Sequence, residues 1–120
     1  MTAKPKIYVA SKNILRARKV MEIIQKSGYE ITFDWATDYH EDNWDEYAQK
    51  EREGIQKCDI FIYLWCEDAK SARYEAGMAM GLNKIVIASE APDSFFYHLP
   101  NVVRIFSDLE IIDTITKNTK

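Results

Sequence analysis

The segment Ser71-Ala72-Arg73-Tyr74-Glu75-Ala76-Gly77-Met78-Ala79-Met80-Gly81 sets a single carboxylate, Glu75, near the start of a small-residue stretch with helical character. The unpaired N–H groups of a helix start carry partial positive charge, so a carboxylate close to them is expected to stay ionised. Held there, it can serve as a nucleophile or stabilise a developing cation. It can equally do no more than complement the helix dipole at the surface, and position alone leaves both readings open. Gly77, Ala79 and Gly81 predict a helix lying close to the sheet, which would bring Glu75 to the mouth of the central strands. The other reactive residue types are sparse. His40 and His98 are far apart, and Cys58 and Cys66 flank a strand-length apolar run that separates them too far for a disulfide. The expectation is two free thiols, no metal site and no cofactor.

The elements that must position Glu75 follow from periodicity. Ile7-Tyr8-Val9-Ala10 reads as a buried first strand, and Ser11-Lys12-Asn13 as a turn that can cap a helix over Ile14–Ser27, ended by Gly28. Tyr29–Trp35 alternates as a second strand. Ala36–Asn43 is a polar connection, and Trp44–Lys57 is helical, with Trp44, Tyr47, Ala48, Glu51 and Ile55 on one face. Ile60–Trp65 is a continuous apolar run, the pattern of a central parallel strand covered on both sides. A helix over Ser71–Leu82, a strand at Lys84–Ala88, a looser stretch around Pro92 and Pro100, a strand at Val102–Phe106 and a helix over Asp108–Ile115 complete the order. Lys117–Lys120 is expected to fray.

Five strands alternating with helices predict an α/β fold: a doubly wound five-stranded parallel sheet in three α/β/α layers, with the flavodoxin-like order 2-1-3-4-5. Ligands of such sheets sit beyond the carboxyl ends of the strands, at the switch point between strands one and three. The loops there are Ala10-Ser11-Lys12, Cys66–Ser71 and Ser89-Glu90-Ala91. With 120 residues, 47% hydrophobic and 29% charged, the chain is expected to form one domain over 1–120. A net charge of −3 lacks the basic footprint that a nucleic-acid polymer requires. The N-terminal segment has no signal-peptide character and no stretch is long enough to span a bilayer, so the expected compartment is the cytoplasm, with no membrane partner.

The order of "KIYVAS", "EREGIQKCDIFIYL" and "SARYEAGMAMGLNKIVI" resembles the nucleoside 2-deoxyribosyltransferase-like superfamily over about residues 6–89. The resemblance implies a flavodoxin-like core and cleavage or transfer of the N-glycosidic bond of a (deoxy)ribonucleoside or its 5′-monophosphate. It implies that Glu75, in the "E-x-G-x-A" pattern Glu75-Ala76-Gly77-Met78-Ala79, is the nucleophile at the anomeric carbon. Tyr8 would orient Glu75, and Glu51, three residues before Gly54-Ile55, would protonate or orient the leaving base. It also implies a homodimer or higher homo-oligomer. Many members carry Asp or Ser six residues before the nucleophile, where this chain has Ala69. The run Lys70–Gly77 is closer to an "R-S-A-x-x-E-A-G" form associated with phage and bacterial genomes.

Several residues could complete a nucleotide site. Ser71, with Ser11, Ala10 and the backbone amides of two helix starts, could hold a 5′-phosphate or a sugar hydroxyl, and Lys12, Arg16, Lys70 or Arg73 could add positive charge. The alternative role for Ser71 is that of a plain helix N-cap. Trp35, Trp44, Tyr47 and Trp65 offer an aromatic wall, with Trp65 or Trp35 the choice for stacking on a base. Phe95-Phe96-Tyr97 is apolar for a connection and could cover the site or form a dimer contact. Two alternatives stand beside the enzyme: a non-catalytic nucleotide-binding module on the same scaffold, and a glutamate-dependent NAD glycohydrolase of the Toll/interleukin-receptor-like type.

Overall fold

A computed structural model describes residues 4–37 and 43–119. In chain order the elements are β1 Lys6–Ala10, α1 Ile14–Lys26, β2 Glu30–Ile31, α2 Trp44–Lys57, β3 Ile60–Leu64, α3 Lys70–Gly81, β4 Ile85–Ser89, β5 Val102–Ile105 and α4 Ile111–Lys117. Short 3-10 turns occupy Phe95–His98 and Asp108–Glu110. His40 and most of the expected polar connection lie outside the described residues, as do 1–3 and 120.

The sheet has the order β2-β1-β3-β4-β5 with every pair parallel. Right-handed crossovers then put α1 and α4 on one face and α2 and α3 on the other, giving three layers. β3 is buried at all five positions, as its unbroken apolar run requires of a strand covered on both sides. Because side chains alternate, Phe61 and Tyr63 point to the α2/α3 face, together with Tyr8, whose ring stacks on Phe61 at 5.4 Å and 13°. α1 starts at Asn13, whose side chain accepts from the Arg16 N–H, and α2 starts at Asn43 in the same way.

Two elements, β2 and α4, differ from expectation by more than one residue at an end. β2 pairs only at Glu30–Ile31, although alternation continues to Trp35. The Thr32 N–H still donates to Ile7 O at 2.9 Å, and side-chain bonds then take over: Thr32 Oγ1 donates to Gly54 O at 2.8 Å, and the Trp35 indole N–H donates to Val9 O at 2.6 Å. Trp35 therefore folds over the end of β1 instead of extending the sheet edge. At the other end, Asp108–Glu110 is a 3-10 turn closed by a Ser107/Glu110 capping box, and α4 runs on to Lys117. Thr119 Oγ1 still donates to Ile115 O at 2.7 Å, so the expected fraying does not begin at Lys117.

The glycines separate into two kinds. A Cβ on Gly54 would lie 3.0 Å from the Tyr8 ring and 3.0 Å from Phe33 Cβ, so α2 can cross Tyr8 this closely only without a side chain. Gly77 and Gly81 are different: a Cβ at either meets nothing within 4 Å, so the expectation that they let α3 approach the sheet is incorrect. The buried Ala72, Ala76 and Ala79 make that approach. Opposite effects are expected from the same substitution. Gly54→Ala should destabilise by about 1–3 kcal/mol, because the stacked Tyr8 ring cannot yield. Gly77→Ala should stabilise by about 0.5–1 kcal/mol through helix propensity alone. Urea unfolding midpoints of the two variants check both signs.

Candidate active site

α2 carries Glu51 one turn before Gly54 and Ile55, the residues that seat the helix on the sheet, so Glu51 faces inward above Tyr8. α3 begins at Lys70, which puts Glu75 in its second turn rather than its first, on the side of the buried Ala72 and Ala76. Two acidic side chains from neighbouring helices thus converge over the tyrosine of β1.

Burial dominates the electrostatics. Glu75 is 8% exposed, and burial, reinforced by the charge of Glu51, pushes its carboxyl up to about 9, with Tyr8 acting in the opposite sense. Burial also raises Glu51. The expectation that the helix start keeps Glu75 ionised is therefore corrected: the dipole is felt over about the first turn, and the cost of a second buried like charge is larger. Together the two carboxyls hold at least one proton through neutral pH. The Tyr8 hydroxyl is fully buried and makes no hydrogen bond of ordinary length. It is nevertheless close enough to the pair that, after burial, Glu75 and then Glu51 are the main causes holding its pKa well above the ordinary phenol value.

A cavity of about 610 Å³ opens over this pair, within the range of small-molecule sites. Ser11, Lys12 and Ile14 line it from the end of β1, Trp44, Tyr47, Ala48 and Glu51 from α2, and Asp68–Ala72 with Glu75 from α3 and its approach; Trp35 completes the wall. Of the residues expected from sequence, Glu75, Glu51, Ser11, Lys12 and Ser71 meet here. Tyr8 and Ala10 are buried and do not line the cavity. Arg73 and Trp65 do not join it: both line a second cavity across α3. Arg16 is engaged elsewhere, donating to both Asp108 carboxylate oxygens at 2.7 and 2.8 Å and to Trp65 O at 2.7 Å. Glu90 adds an ion pair at 3.4 Å from a left-handed backbone, φ 61°.

Ser71 is not the N-cap of α3. That position belongs to Ala69, which has no side-chain acceptor, so the first turn of α3 has no side-chain cap, and its residues Lys70, Ser71 and Ala72 line the cavity. Asp68, left-handed at φ 66°, also lines the cavity and was not singled out by motif reasoning. Nor was Trp44, 75% exposed at the mouth, preferred over Trp35, whose indole N–H is already spent on β1. Helical spacing places Trp44 on the Glu51 face, and that was the available signal. Cys58 and Cys66 are free, and burial pushes the Cys58 thiol up to about 12, marking it as a core residue.

The molecule is thus a doubly wound, flavodoxin-like α/β protein in which a buried carboxyl, Glu75, and a half-buried one, Glu51, meet beyond the carboxyl ends of the central strands. No family model matches the sequence, and no curated protein matches it. Among solved structures it is similar to that of Clostridium botulinum CMP N-glycosidase, BcmB, with a TM-score of 0.66 and 17% identity over 92% of this chain and 98% of that one. At that identity the likeness bears on the fold. Among the described residues, no helix is long and apolar enough to cross a membrane.

Proposed function

We propose that this protein cleaves the N-glycosidic bond of a (deoxy)ribonucleoside 5′-monophosphate, with Glu75 as nucleophile. The observation that carries the reading is buried Glu75 beside half-buried Glu51, over Tyr8 at the wall of a nucleotide-sized cavity. The structural neighbour is a CMP N-glycosidase, which supports the same bond type. A single shared proton suits the chemistry: as the C1′–N bond lengthens, its electron pair moves to the base, and positive charge grows on the sugar. That charge favours ionised Glu75, so the proton resides on Glu51, which passes it to the departing base nitrogen while a Glu75 oxygen bonds C1′. Water then attacks C1′, gives its proton to Glu51, and releases the sugar phosphate and the Glu75 carboxylate. If a second base replaces water, the same steps give transfer. Tyr8 positions Glu75 from below.

The uncapped start of α3, Ser71, Ser11 and the ammonium groups of Lys12 and Lys70 form the phosphate end of the site. Lys12→Ala and Ser71→Ala are each expected to raise KM for a nucleotide about tenfold while leaving KM for the matching nucleoside nearly unchanged, read from initial rates on both. The decisive assay incubates the protein with nucleosides, CMP and other 5′-monophosphates, and NAD, and measures free base by chromatography. No base released from any of them, with or without Glu75, would defeat the proposal. Release from NAD alone would identify the glycohydrolase alternative. Ala69, in place of an acidic or hydroxyl residue, favours the non-catalytic module, which predicts thermal stabilisation by nucleotides without turnover. The exposed Phe95 supports a homo-oligomer; a monomer mass by light scattering at micromolar concentration would contradict that part.

A further inference from the structure

The connection from β4 to β5 carries no α-helix, only the 3-10 turn Phe95–His98, so the part of the sheet that a crossover helix would cover lies under open space. That space is a second cavity, about 780 Å³, between α3 and the Pro92–Leu99 segment. α3 separates it from the first: Ser71, Ala72 and Glu75 face one cavity, Arg73, Gly77 and Gly81 the other.

Three observations make it a site rather than a gap in packing. Tyr63, at its lining, is 1% exposed, and its hydroxyl, which lies near that of Tyr97, makes no hydrogen bond of ordinary length among the described residues. Were nothing ever to reach that oxygen, phenylalanine would serve better, because a buried hydroxyl without a partner is destabilising. Gly77 and Gly81 disfavour helix yet answer no packing need, and their effect is to keep the cavity wall bare. The charge is also uneven. Asp93 is held by His98 at 2.8 Å and by Arg104 at 3.6 Å, whereas Arg73 makes no ion pair among the described residues. Trp65, Phe96 and Tyr97 supply aromatic surface. Tyr97 sets its ring edge-on to Tyr63 at 6.4 Å and 74°. Burial, with Tyr63 beside it, pushes the Tyr97 phenol up to about 12, so it remains a neutral donor.

We propose that this second cavity binds a planar aromatic anion, its ring against Trp65 and Tyr97, an acceptor atom on the Tyr63 hydroxyl and its charge toward Arg73. The proposal is independent of the chemistry assigned to Glu75.

Indole-3-carboxylate is a suitable probe, titrated into the full chain and followed by amide and indole NMR shifts. Saturable binding is expected with Kd at or below about 1 mM, a reasonable affinity for so small a ligand. Gly77→Leu, which fills the cavity from a position with open space, should weaken it at least about tenfold, and Tyr63→Phe about three- to tenfold. The neutral indole-3-carboxamide should bind more weakly, and Glu75→Gln should leave binding unchanged. Tyr63→Phe keeps the ring and the fold, so it decides the matter even if the leucine variant is unstable. Absence of saturable binding, insensitivity to both variants, or loss on Glu75→Gln would overturn the proposal. So would light scattering that finds a dimer dissociated by Gly77→Leu, since a second copy would then be the occupant.

Discussion

Under the proposed chemistry, replacing Glu75 with glutamine is expected to slow base release from a nucleotide by about 10³-fold or more, while the folded protein becomes at least as stable as the parent. The rate loss follows from the role: an amide oxygen is a poor nucleophile and cannot balance the charge that develops at C1′. The stability gain follows from the environment, because the substitution removes a buried group whose ionised form is disfavoured by desolvation and by Glu51. A purely structural Glu75 predicts neither the rate loss nor the split between rate and stability. Rates on whichever nucleotide is turned over, measured beside thermal melts of the same samples, check both halves. Equal activity in the variant would remove Glu75 from the chemistry. Glu51→Gln should cost less, about 10²-fold, since it withdraws proton transfer to the base but leaves the nucleophile.

The second large effect is a fall in stability as pH rises. The folded carboxyl of Glu75 titrates at about 9 against an ordinary value of 4.5. Between these limits the native state binds more protons than the unfolded chain, so raising the pH favours unfolding. The contribution is fully present below pH 4.5 and is lost progressively toward pH 9, at up to about 1.4 kcal/mol per pH unit. Over the whole window that amounts to several kcal/mol, enough to dominate the pH dependence of a small domain. Denaturant unfolding at intervals from pH 5 to 9 should show the slope, and Glu75→Gln should flatten it. A wild-type profile already flat over that range would contradict the burial argument. Catalysis should respond on both sides. Adding the second proton to the pair at low pH removes the nucleophile, and losing the shared one at high pH removes the acid, so kcat/KM is expected to be bell-shaped.

Much of the architecture was legible because it rests on local patterning. The unbroken run Ile60–Leu64 could only be a strand covered on both faces, and the three- and four-residue spacing from Trp44 to Ile55 could only be one helix face. Alternation of five strands with helices then restricted the topology to one simple winding, and the winding located the site beyond the ends of β1 and β3. Even there local pattern overran its evidence: the alternation of Tyr29–Trp35 could not reveal that Trp35 would bond Val9 O by its side chain and end the strand.

What the sequence determined by itself was therefore the order of elements, the sheet, and the meeting of Glu75, Glu51, Ser11, Lys12 and Ser71 around one opening. Only the tertiary structure decided their condition. Glu75 is held largely protonated because the fold buries it, and because Glu51, 24 positions away in the chain, is packed beside it. Each residue turns a helix by about 100°, so Ser71 and Arg73, close neighbours in the chain, serve different cavities. Arg16 is taken up by Asp108 across the fold, and Gly77 and Gly81 border open space where close packing was expected. Periodicity reports which side of an element is apolar. Desolvation, charge coupling and free volume depend on atoms brought together from distant parts of the chain, and they exist only once the chain has folded.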